Sequence, residues 1–354
     1  MKANVLHNIN DLRYEEVDLP ILKEGEVLLR VKACGICGSD VGRVFKTGTY
    51  HFPTIIGHEF SGEIVQVFDK EDEGLLNKRA SVFPLIPCKE CVNCLSGHYE
   101  TCTNYNYLGS RTDGGFAEYV AVPKWNLQIL PTDISWEAAA MFEPAAVALH
   151  TLKRAKATKN DRLVVFGPGT IGLILCQVAK ALGIEQVLLI GRSQDKLDYA
   201  LSKGFATAVC NSTTEDVAQW IAAQTNGLMA TLSIEGTGVA ATLSHCINVT
   251  AAQGRIVVMG NPSEDFHIEK SVYWQLLRKQ QTLIGTWNSS YKVEGNDWDE
   301  IQALVATHQI NLEELVTHRF PMSDLLGGLE VMRSRSEFVN KVMILNENSD
   351  ATQA

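Results

Sequence analysis

Residues 162–172 read Arg162-Leu163-Val164-Val165-Phe166-Gly167-Pro168-Gly169-Thr170-Ile171-Gly172, an apolar strand pattern followed by three spaced glycines. A helical pattern then covers 173–182, and a second apolar strand covers 186–190. A G-x-G-x-x-G run between a strand and a helix is typical of a dinucleotide site, because the glycines allow the tight turn and the pyrophosphate rests on the helix N-terminus. We therefore predict an α/β Rossmann domain with a doubly wound parallel sheet. Its cofactor-binding residues would include Gly167, Gly169, Thr170, Ile171 and Gly172.

The end of the second predicted strand departs from the common pattern. An Asp or Glu about 20 residues past the glycines normally holds the ribose hydroxyls of NAD. Here the strand ends in Gly191-Arg192-Ser193, without an acid. Arg192 offers a planar cation suited to a 2′-phosphate, and Lys196 could add a second one. We predict NADP(H) rather than NAD(H), bound by Gly191, Arg192, Ser193 and Lys196; the alternative is that Arg192 is a solvent-exposed loop cation.

Upstream, the chain offers three metal donors of different kinds between Cys37 and Glu59. Cys37 opens the run Cys37-Gly38-Ser39-Asp40, and His58 and Glu59 lie together between Gly57 and Phe60. Zinc takes sulfur, nitrogen and oxygen ligands, and a catalytic site keeps one position open. This run predicts a catalytic zinc site at Cys37, His58 and Glu59. The alternative is a buried cysteine and an unrelated histidine.

Glu143 lies in an otherwise apolar helical pattern that begins at Trp136. Pro144 removes an amide donor and should break or kink this helix at Glu143. A carboxylate in so apolar a run is costly to bury without a partner. We take Glu143 as a third or fourth ligand of the catalytic zinc, although a solvated residue at a helix end is the simpler reading.

Four cysteines follow the spacing Cys88-x2-Cys91-x2-Cys94-x7-Cys102. Four thiolates this close can form a closed, structural zinc site. The rival is an iron–sulfur cluster, since bacterial ferredoxins also begin with C-x2-C-x2-C. Their run continues with three residues, a cysteine and a proline, whereas Thr103 follows the last cysteine here. The sequence thus favours a second, structural zinc per subunit.

The 354 residues suggest two domains, and the formal net charge of −10 argues against nucleic acid as a partner. No signal-like or membrane-spanning apolar run occurs, and nine cysteines without a leader indicate the reducing cytoplasm. Strand-like segments such as 26–33 and 62–67 predict an antiparallel, partly barrel-like first domain. We expect a β-rich catalytic domain over 1–150 with a zinc lobe at 85–105, a Rossmann domain over 151–285, and a return to the first domain over 286–354. The polar tail 346–354 is expected to be disordered.

Taken in their order along the chain, the motifs resemble those of the zinc-containing medium-chain dehydrogenases, in particular the polyol branch typified by sorbitol dehydrogenase. The segment 107–119 is most similar to members that act on a polyol phosphate. The resemblance implies a GroES-like catalytic domain beside the Rossmann domain, and a homodimer or homotetramer. It implies hydride transfer between a secondary alcohol of a polyol or polyol phosphate and NAD(P), giving a ketose or ketose phosphate.

In that reading Cys37 and His58 bind zinc permanently, Glu59 and Glu143 share the remaining contacts, and Ser39 passes on the hydroxyl proton. Relatives often carry a histidine three residues beyond this serine; here Gly42 stands there, so His51 or solvent would end the relay. Arg43, Lys46 and Arg111 are candidates for a substrate phosphate. Three alternatives stay open: another secondary alcohol as substrate (free sorbitol or xylitol, butanediol, or a threonine-like alcohol), a zinc-independent reductase, and a non-catalytic zinc- and nucleotide-binding sensor.

Overall fold

The computed structural model describes residues 1–262, 264–334 and 336–346, and the chain forms two units. The first unit comprises Met1–Glu143, Ser290–Ala306 and the described residues from Asn311 onward, and the second comprises Pro144–Ser289 and Thr307–Ile310. The expected boundaries at 150 and 285 compare with observed boundaries at 143 and 289. The expected disorder of the tail concerns residues that, after Asn346, lie outside the described ones.

Strands alternate with helices in the second unit and predominate in the first. The strands are β1 (Lys2–Asn8), β2 (Asp11–Glu16), β3 (Glu26–Gly35), β4 (Thr54–Ile55), β5 (Glu59–Val67), β6 (Arg79–Val82), β7 (Leu85–Ile86), β8 (Asn106–Tyr107), β9 (Tyr119–Pro123), β10 (Leu127–Ile129), β11 (Arg162–Phe166), β12 (Gln186–Gly191), β13 (Ala208–Asn211), β14 (Ala230–Glu235), β15 (Thr250–Val258), β16 (Thr282–Gly285), β17 (Val316–Pro321) and β18 (Lys341–Leu345).

The helices range from one turn to more than three. The α-helices are α1 (Gly38–Gly42), α2 (Val92–Leu95), α3 (Trp136–Ala140), α4 (Phe142–Arg154), α5 (Thr170–Ala181), α6 (Gln194–Ser202), α7 (Val217–Gln224), α8 (Ala240–Val249), α9 (Lys270–Arg278), α10 (Asp297–Ala306) and α11 (Leu325–Ser334). A π-helix covers Arg43–Thr47, and 3₁₀ turns cover Lys70–Leu75, Tyr99–Thr101, Lys124–Asn126, Glu313–Leu315 and Met322–Asp324. Among the described residues, no helix combines the length and the apolar character needed to cross a bilayer.

The second unit contains a six-stranded, all-parallel sheet in the order β13-β12-β11-β14-β15-β16. The chain starts in the middle at β11, builds outward to β13, and then continues on the other side from β14. Strands buried on both faces explain the continuous apolar pattern of β11 and β12. Val164, Leu188 and Ile256 are among its fully buried core residues. The predicted Rossmann fold is confirmed.

The first unit is built around β3, the longest strand of a seven-stranded sheet. β3 pairs antiparallel with β5, β9 and β18, whereas the neighbouring pair β17 and β18 is parallel. The expected antiparallel domain is therefore mixed at this one edge, because β18 returns from a distant part of the sequence. Leu29, Val31, Phe60 and Ile344 belong to the core on this sheet.

The helical segment around Glu143 differs from its prediction. The break lies at Met141, between α3 and α4, instead of at Glu143. Pro144 is the third residue of α4, where its missing N–H has no intrahelical acceptor to lose, so the helix continues through it. Glu143 thereby lies in the first turn of α4.

Candidate active site

Cys37, His58 and Glu59 lie together in the first unit. Gly35 at the end of β3 is in register with Glu59 at the start of β5, so Cys37, just beyond β3, lies beside His58 and Glu59. One ligand atom from each of the three residues lies within 4.8 Å of the other two. His58 and Glu59 are buried and Cys37 is partly exposed. One sulfur, one nitrogen and one oxygen donor at this spacing form a donor set that zinc accepts.

Asp40 is a fully buried carboxylate beneath these three residues. It accepts a hydrogen bond from the backbone N–H of Cys37 (3.0 Å) and one from Arg43 Nη1 (2.9 Å), and its Oδ1 lies 3.4 Å from Nδ1 of His58. Burial raises the pKa of Asp40, but His58 and Arg43 outweigh it, so the pKa is lowered. With Nδ1 facing Asp40, His58 has its other ring nitrogen for a metal. Asp40 belongs to the Cys37 motif, but its role does not follow from the sequence.

The pKa of His58 reports the electrostatics of this site. Burial alone would lower it, but Asp40 and Cys37 stabilise positive charge on the ring and raise the pKa well above 6.5. The carboxylate of Asp40 favours a bound cation in the same way, and the sulfur of Cys37 is a donor that zinc accepts. The residues therefore fit a zinc ion in charge as well as in donor type.

Lys341 is buried against Glu59. Its Nζ forms an ion pair with Oε2 of Glu59 and donates to the carbonyl of Ile36 at 3.1 Å. Burial lowers the pKa of Lys341, and the neighbouring Glu59 reverses this effect and raises it. Gly35 leaves room for the pair, because a Cβ at this position would lie 2.6 Å from the same Glu59 oxygen. Lys341 was missed in the sequence analysis, since only the pairing of β18 with β3 brings it here.

Glu143 lies beside this group but outside the cluster of three donors within 4.8 Å. Its Oε1 accepts a hydrogen bond from the hydroxyl of Tyr107 at 3.3 Å. Burial, with a contribution from Glu59, raises the pKa of Glu143 to about 7 against the opposing effect of His58 and Lys341. Tyr107 is a further site residue that the sequence analysis did not single out.

Ser39 is exposed and accepts a hydrogen bond from Arg43 Nη1 at 3.0 Å. Since a guanidinium only donates hydrogen bonds, Arg43 orients Ser39 and leaves its O–H free to point elsewhere. His51 is engaged away from Ser39: Nδ1 lies 3.1 Å from the hydroxyl oxygen of Thr54, and Nε2 lies 3.1 Å from the carbonyl oxygen of Arg111.

Arg111 is held between two tyrosine rings. The centre of its guanidinium lies 3.9 Å from the ring centroid of Tyr50 and 4.5 Å from that of Tyr105. Its Nε is buried without a hydrogen-bond partner. The rings of Tyr105, Tyr107 and His58 continue at centroid distances of 6.3 Å and 5.9 Å, so Arg111 and the metal donors belong to one contiguous set of side chains. Lys46, in the π-helix, is exposed.

The four cysteines of the second predicted metal site surround one small volume. Their sulfur atoms all lie within 4.8 Å of one another, with Sγ–Sγ distances of 4.0 Å (Cys88–Cys94), 3.9 Å (Cys91–Cys102) and 3.4 Å (Cys88–Cys102). A tetrahedral ion with Zn–S bonds of about 2.3 Å requires sulfur–sulfur distances of about 3.8 Å. The observed spacing fits one ion and is too small to enclose a cluster of several metal atoms.

The glycine-rich turn of the second unit has the geometry that a pyrophosphate needs. Gly167 has a φ of +109°, which favours glycine, and a Cβ at Gly172 would lie 2.0 Å from the carbonyl oxygen of Gly167. A Cβ at Gly169 would have no neighbour within 4 Å, so the backbone there is open to a ligand. Thr170 and Ile171 begin α5. The residues of this turn therefore fit a dinucleotide.

The four residues predicted to select the cofactor lie at the end of β12 and the start of α6. Gly191 is the last residue of β12 and is buried, whereas Arg192 and Ser193 are exposed. Lys196 lies in the first turn of α6 and is partly buried.

Known protein families match parts of both units. Residues 23–132 match the family model of the alcohol dehydrogenase GroES-like domain, and residues 170–307 match that of the zinc-binding dehydrogenases. Galactitol 1-phosphate 5-dehydrogenase of Escherichia coli K12 is 35% identical over 98% of this chain and 100% of its own.

Solved structures are similar over nearly the whole chain. The crystal structure of galactitol-1-phosphate dehydrogenase from Escherichia coli covers 98% of this chain and 100% of its own with a TM-score of 0.92 and 33% identity. An alcohol dehydrogenase of Escherichia coli CFT073 in complex with NADH covers 98% and 99% (TM-score 0.90, 27% identity). A zinc-binding dehydrogenase of Sinorhizobium meliloti 1021 bound to NADP covers 97% and 98% (TM-score 0.88, 26% identity).

The chain belongs to the zinc-binding dehydrogenases with an alcohol dehydrogenase GroES-like domain. It is thus an NAD(P)-linked alcohol dehydrogenase of the medium-chain type. The resemblance inferred from the sequence is confirmed.

Proposed function

We propose that this dehydrogenase interconverts a polyol phosphate similar to galactitol 1-phosphate and the corresponding ketose phosphate, with NADP(H) as the preferred cofactor. The observation that carries the proposal is the position of Arg111, clamped between Tyr50 and Tyr105 and connected through Tyr107 to the metal donors. A stacked guanidinium presents its N–H edge in a fixed direction, and the spacing of its donors matches the oxygens of a phosphate or a carboxylate. The similarity to galactitol 1-phosphate 5-dehydrogenase supports the same substrate class.

The catalytic roles follow from the contacts of the first unit. Cys37, His58 and Glu59 would hold a zinc ion, with Glu143 as an additional ligand, directly or through water; bound there, zinc lowers the pKa of a hydroxyl group. Oδ1 of Asp40 faces Nδ1 of His58 at 3.4 Å, and Lys341 forms an ion pair with one oxygen of Glu59. Ser39, oriented by Arg43, takes up the proton of the substrate hydroxyl and passes it towards solvent. A nicotinamide cofactor held at Gly167, Gly169 and Gly172 would supply the hydride acceptor for the carbinol carbon, which would become the carbonyl carbon of a ketone.

A second zinc at Cys88, Cys91, Cys94 and Cys102 would have a structural role, because four thiolates leave no coordination position for a substrate. Thiolates of this kind persist in a reducing compartment, and we therefore infer a cytoplasmic enzyme. The proposal includes a homodimer or homotetramer as the working assembly.

The test is a steady-state comparison of alcohols as substrates, in which turnover is monitored by the absorbance of the reduced nicotinamide. We expect galactitol 1-phosphate to exceed free galactitol, sorbitol, xylitol, butanediol and threonine in kcat/KM by about a hundredfold, the size expected of two charge-assisted hydrogen bonds. Arg111→Gln should remove most of this preference by raising KM for the phosphate ester, while free galactitol is unaffected. Lys78→Gln is the matched control, since Lys78 is an exposed cation of the first unit that is not among the candidates for the phosphate. Comparable efficiency on free and phosphorylated galactitol would refute the substrate assignment.

A further inference from the structure

Gly191 lacks a side chain for a packing reason. Its φ lies outside the left-handed region, so its backbone suits any residue. A Cβ at this position, however, would lie 2.5 Å from Cγ and 2.7 Å from Cδ of Pro168. These distances are far below van der Waals contact, and a proline ring cannot rotate away. The next neighbour, Cδ2 of Leu197, lies at 3.3 Å and needs only a small adjustment. Pro168 alone therefore excludes a side chain at residue 191.

Neither the glycine-rich turn that contains Pro168 nor the end of β12 can easily move to relieve this contact. On one side, Gly167 donates its N–H to the carbonyl of Ile190 at 2.9 Å, and a Cβ at Gly172 would collide with the carbonyl oxygen of Gly167. On the other side, the carbonyl of Gly191 accepts hydrogen bonds from the backbone N–H (2.9 Å) and the hydroxyl (3.1 Å) of Ser212. The turn and the strand end are thus each fixed in place.

Position 191 is where a dinucleotide-binding domain normally carries the acid that holds the ribose hydroxyls and repels a 2′-phosphate. We propose that Pro168 is a specificity-determining residue: by occupying the space of a side chain at 191, it keeps this acid out, so that residues 168 and 191 select the cofactor as one unit. Arg192 and Ser193 are then left to contact the ribose or its phosphate. The inference deepens the proposed preference for NADP(H) and rests on it.

The proposal predicts that Gly191→Asp alone cannot create NAD specificity. With Pro168 present, the new side chain should lower the Tm by about 5 °C, the usual scale for overpacking, without a gain in NADH affinity. Combined with Pro168→Ala, the same substitution should recover the Tm. The double variant should also shift the ratio of the two Kd values towards NADH by about tenfold or more, the size of a charged hydrogen bond.

The experiment measures Kd for NADH and for NADPH by nucleotide fluorescence, together with Tm, on the wild type, both single variants and the double variant. A Gly191→Asp protein that prefers NADH as strongly as the double variant would overturn the proposal, as would a double variant without the shift. Gly191→Ala separates volume from charge: it should lower the Tm only when Pro168 is present and leave the ratio of Kd values unchanged. A Gly191→Ala protein as stable as the wild type would refute the packing argument.

These measurements need no alcohol substrate, so they remain informative if the polyol phosphate assignment fails. If the wild type itself prefers NADH, the proposed cofactor preference fails, and this result is visible separately from the coupling between residues 168 and 191.

Discussion

Lys341 and Glu59 form an ion pair in the interior of the first unit, with side-chain exposures of 3% and 2%. Removing one partner of a buried pair leaves an uncompensated charge, which typically costs about 3–5 kcal/mol. We expect Lys341→Met to lower the free energy of unfolding by about this amount in zinc-free protein, and by less in zinc-loaded protein, because a bound cation also compensates Glu59.

Urea unfolding with and without chelator measures both values. Lys2→Met is the matched control, since Lys2 pairs with Glu16 at the surface and such pairs contribute less than about 1 kcal/mol. Equal losses for the two lysine variants would show that Lys341 does not support Glu59.

The site residues that the sequence predicted are those with a local signal. Cys37 and the pair His58–Glu59 stand in short motifs, and the four cysteines have diagnostic spacing. Lys341 had no such signal, because its role depends on the register between β18 and β3. Pro168 is a different case: it was visible inside the glycine motif, but its contact with Gly191 requires coordinates.

At the level of single elements, the turn before α5 allows a direct comparison of two glycines. A Cβ at Gly172 would lie 2.0 Å from the carbonyl oxygen of Gly167, whereas a Cβ at Gly169 would have no neighbour within 4 Å. Gly172→Ala should therefore lower the Tm. Gly169→Ala should leave the Tm unchanged and weaken NADPH binding, because the pyrophosphate approaches the backbone at the second glycine.

Thermal unfolding and a nucleotide titration on the two alanine variants separate these effects. The interpretation of the turn would be wrong if both variants were equally stable, or if Gly169→Ala bound NADPH as tightly as the wild type.

Elements with one dominant local pattern were predictable, and those decided by tertiary context were not. β11 runs over Arg162–Phe166, as its apolar pattern predicts. The break between α3 and α4 was predicted at Glu143, but it falls at Met141, because a proline is tolerated in the first turn of a helix. The parallel pairing of β17 with β18 is a long-range contact that no local pattern indicates.

For the molecule as a whole, the exposed large apolar side chains suggest where two copies meet. Several of them lie between residues 266 and 287: Phe266, Ile268, Tyr273, Trp274, Leu277, Leu283 and Trp287. This segment includes β16, which is the edge strand of the six-stranded sheet in the described part of the chain. Its outer edge can pair with the same edge of a second chain about a twofold axis. We expect a homodimer or homotetramer by analytical ultracentrifugation.

Leu283→Lys should shift the protein towards the monomer, since it puts a charge on this edge. Leu19→Lys, an equally exposed leucine of the first unit, is the control and should sediment like the wild type. A monomeric wild type would contradict this expectation, and so would an unchanged assembly in Leu283→Lys.

The central claim is that Cys37, His58 and Glu59 hold a catalytic zinc, distinct from a structural zinc at the four cysteines. The most direct measurement is the zinc content per chain, determined together with turnover during mild chelation. Two zinc ions are expected at the start, one for each donor cluster. Turnover should fall in proportion to the loss of the first zinc, while the second stays bound in the closed sulfur site. Cys37→Ala should start with the second zinc alone and without turnover. Turnover that persists after the first zinc has left, or a Cys37→Ala protein that keeps both ions, would contradict the account.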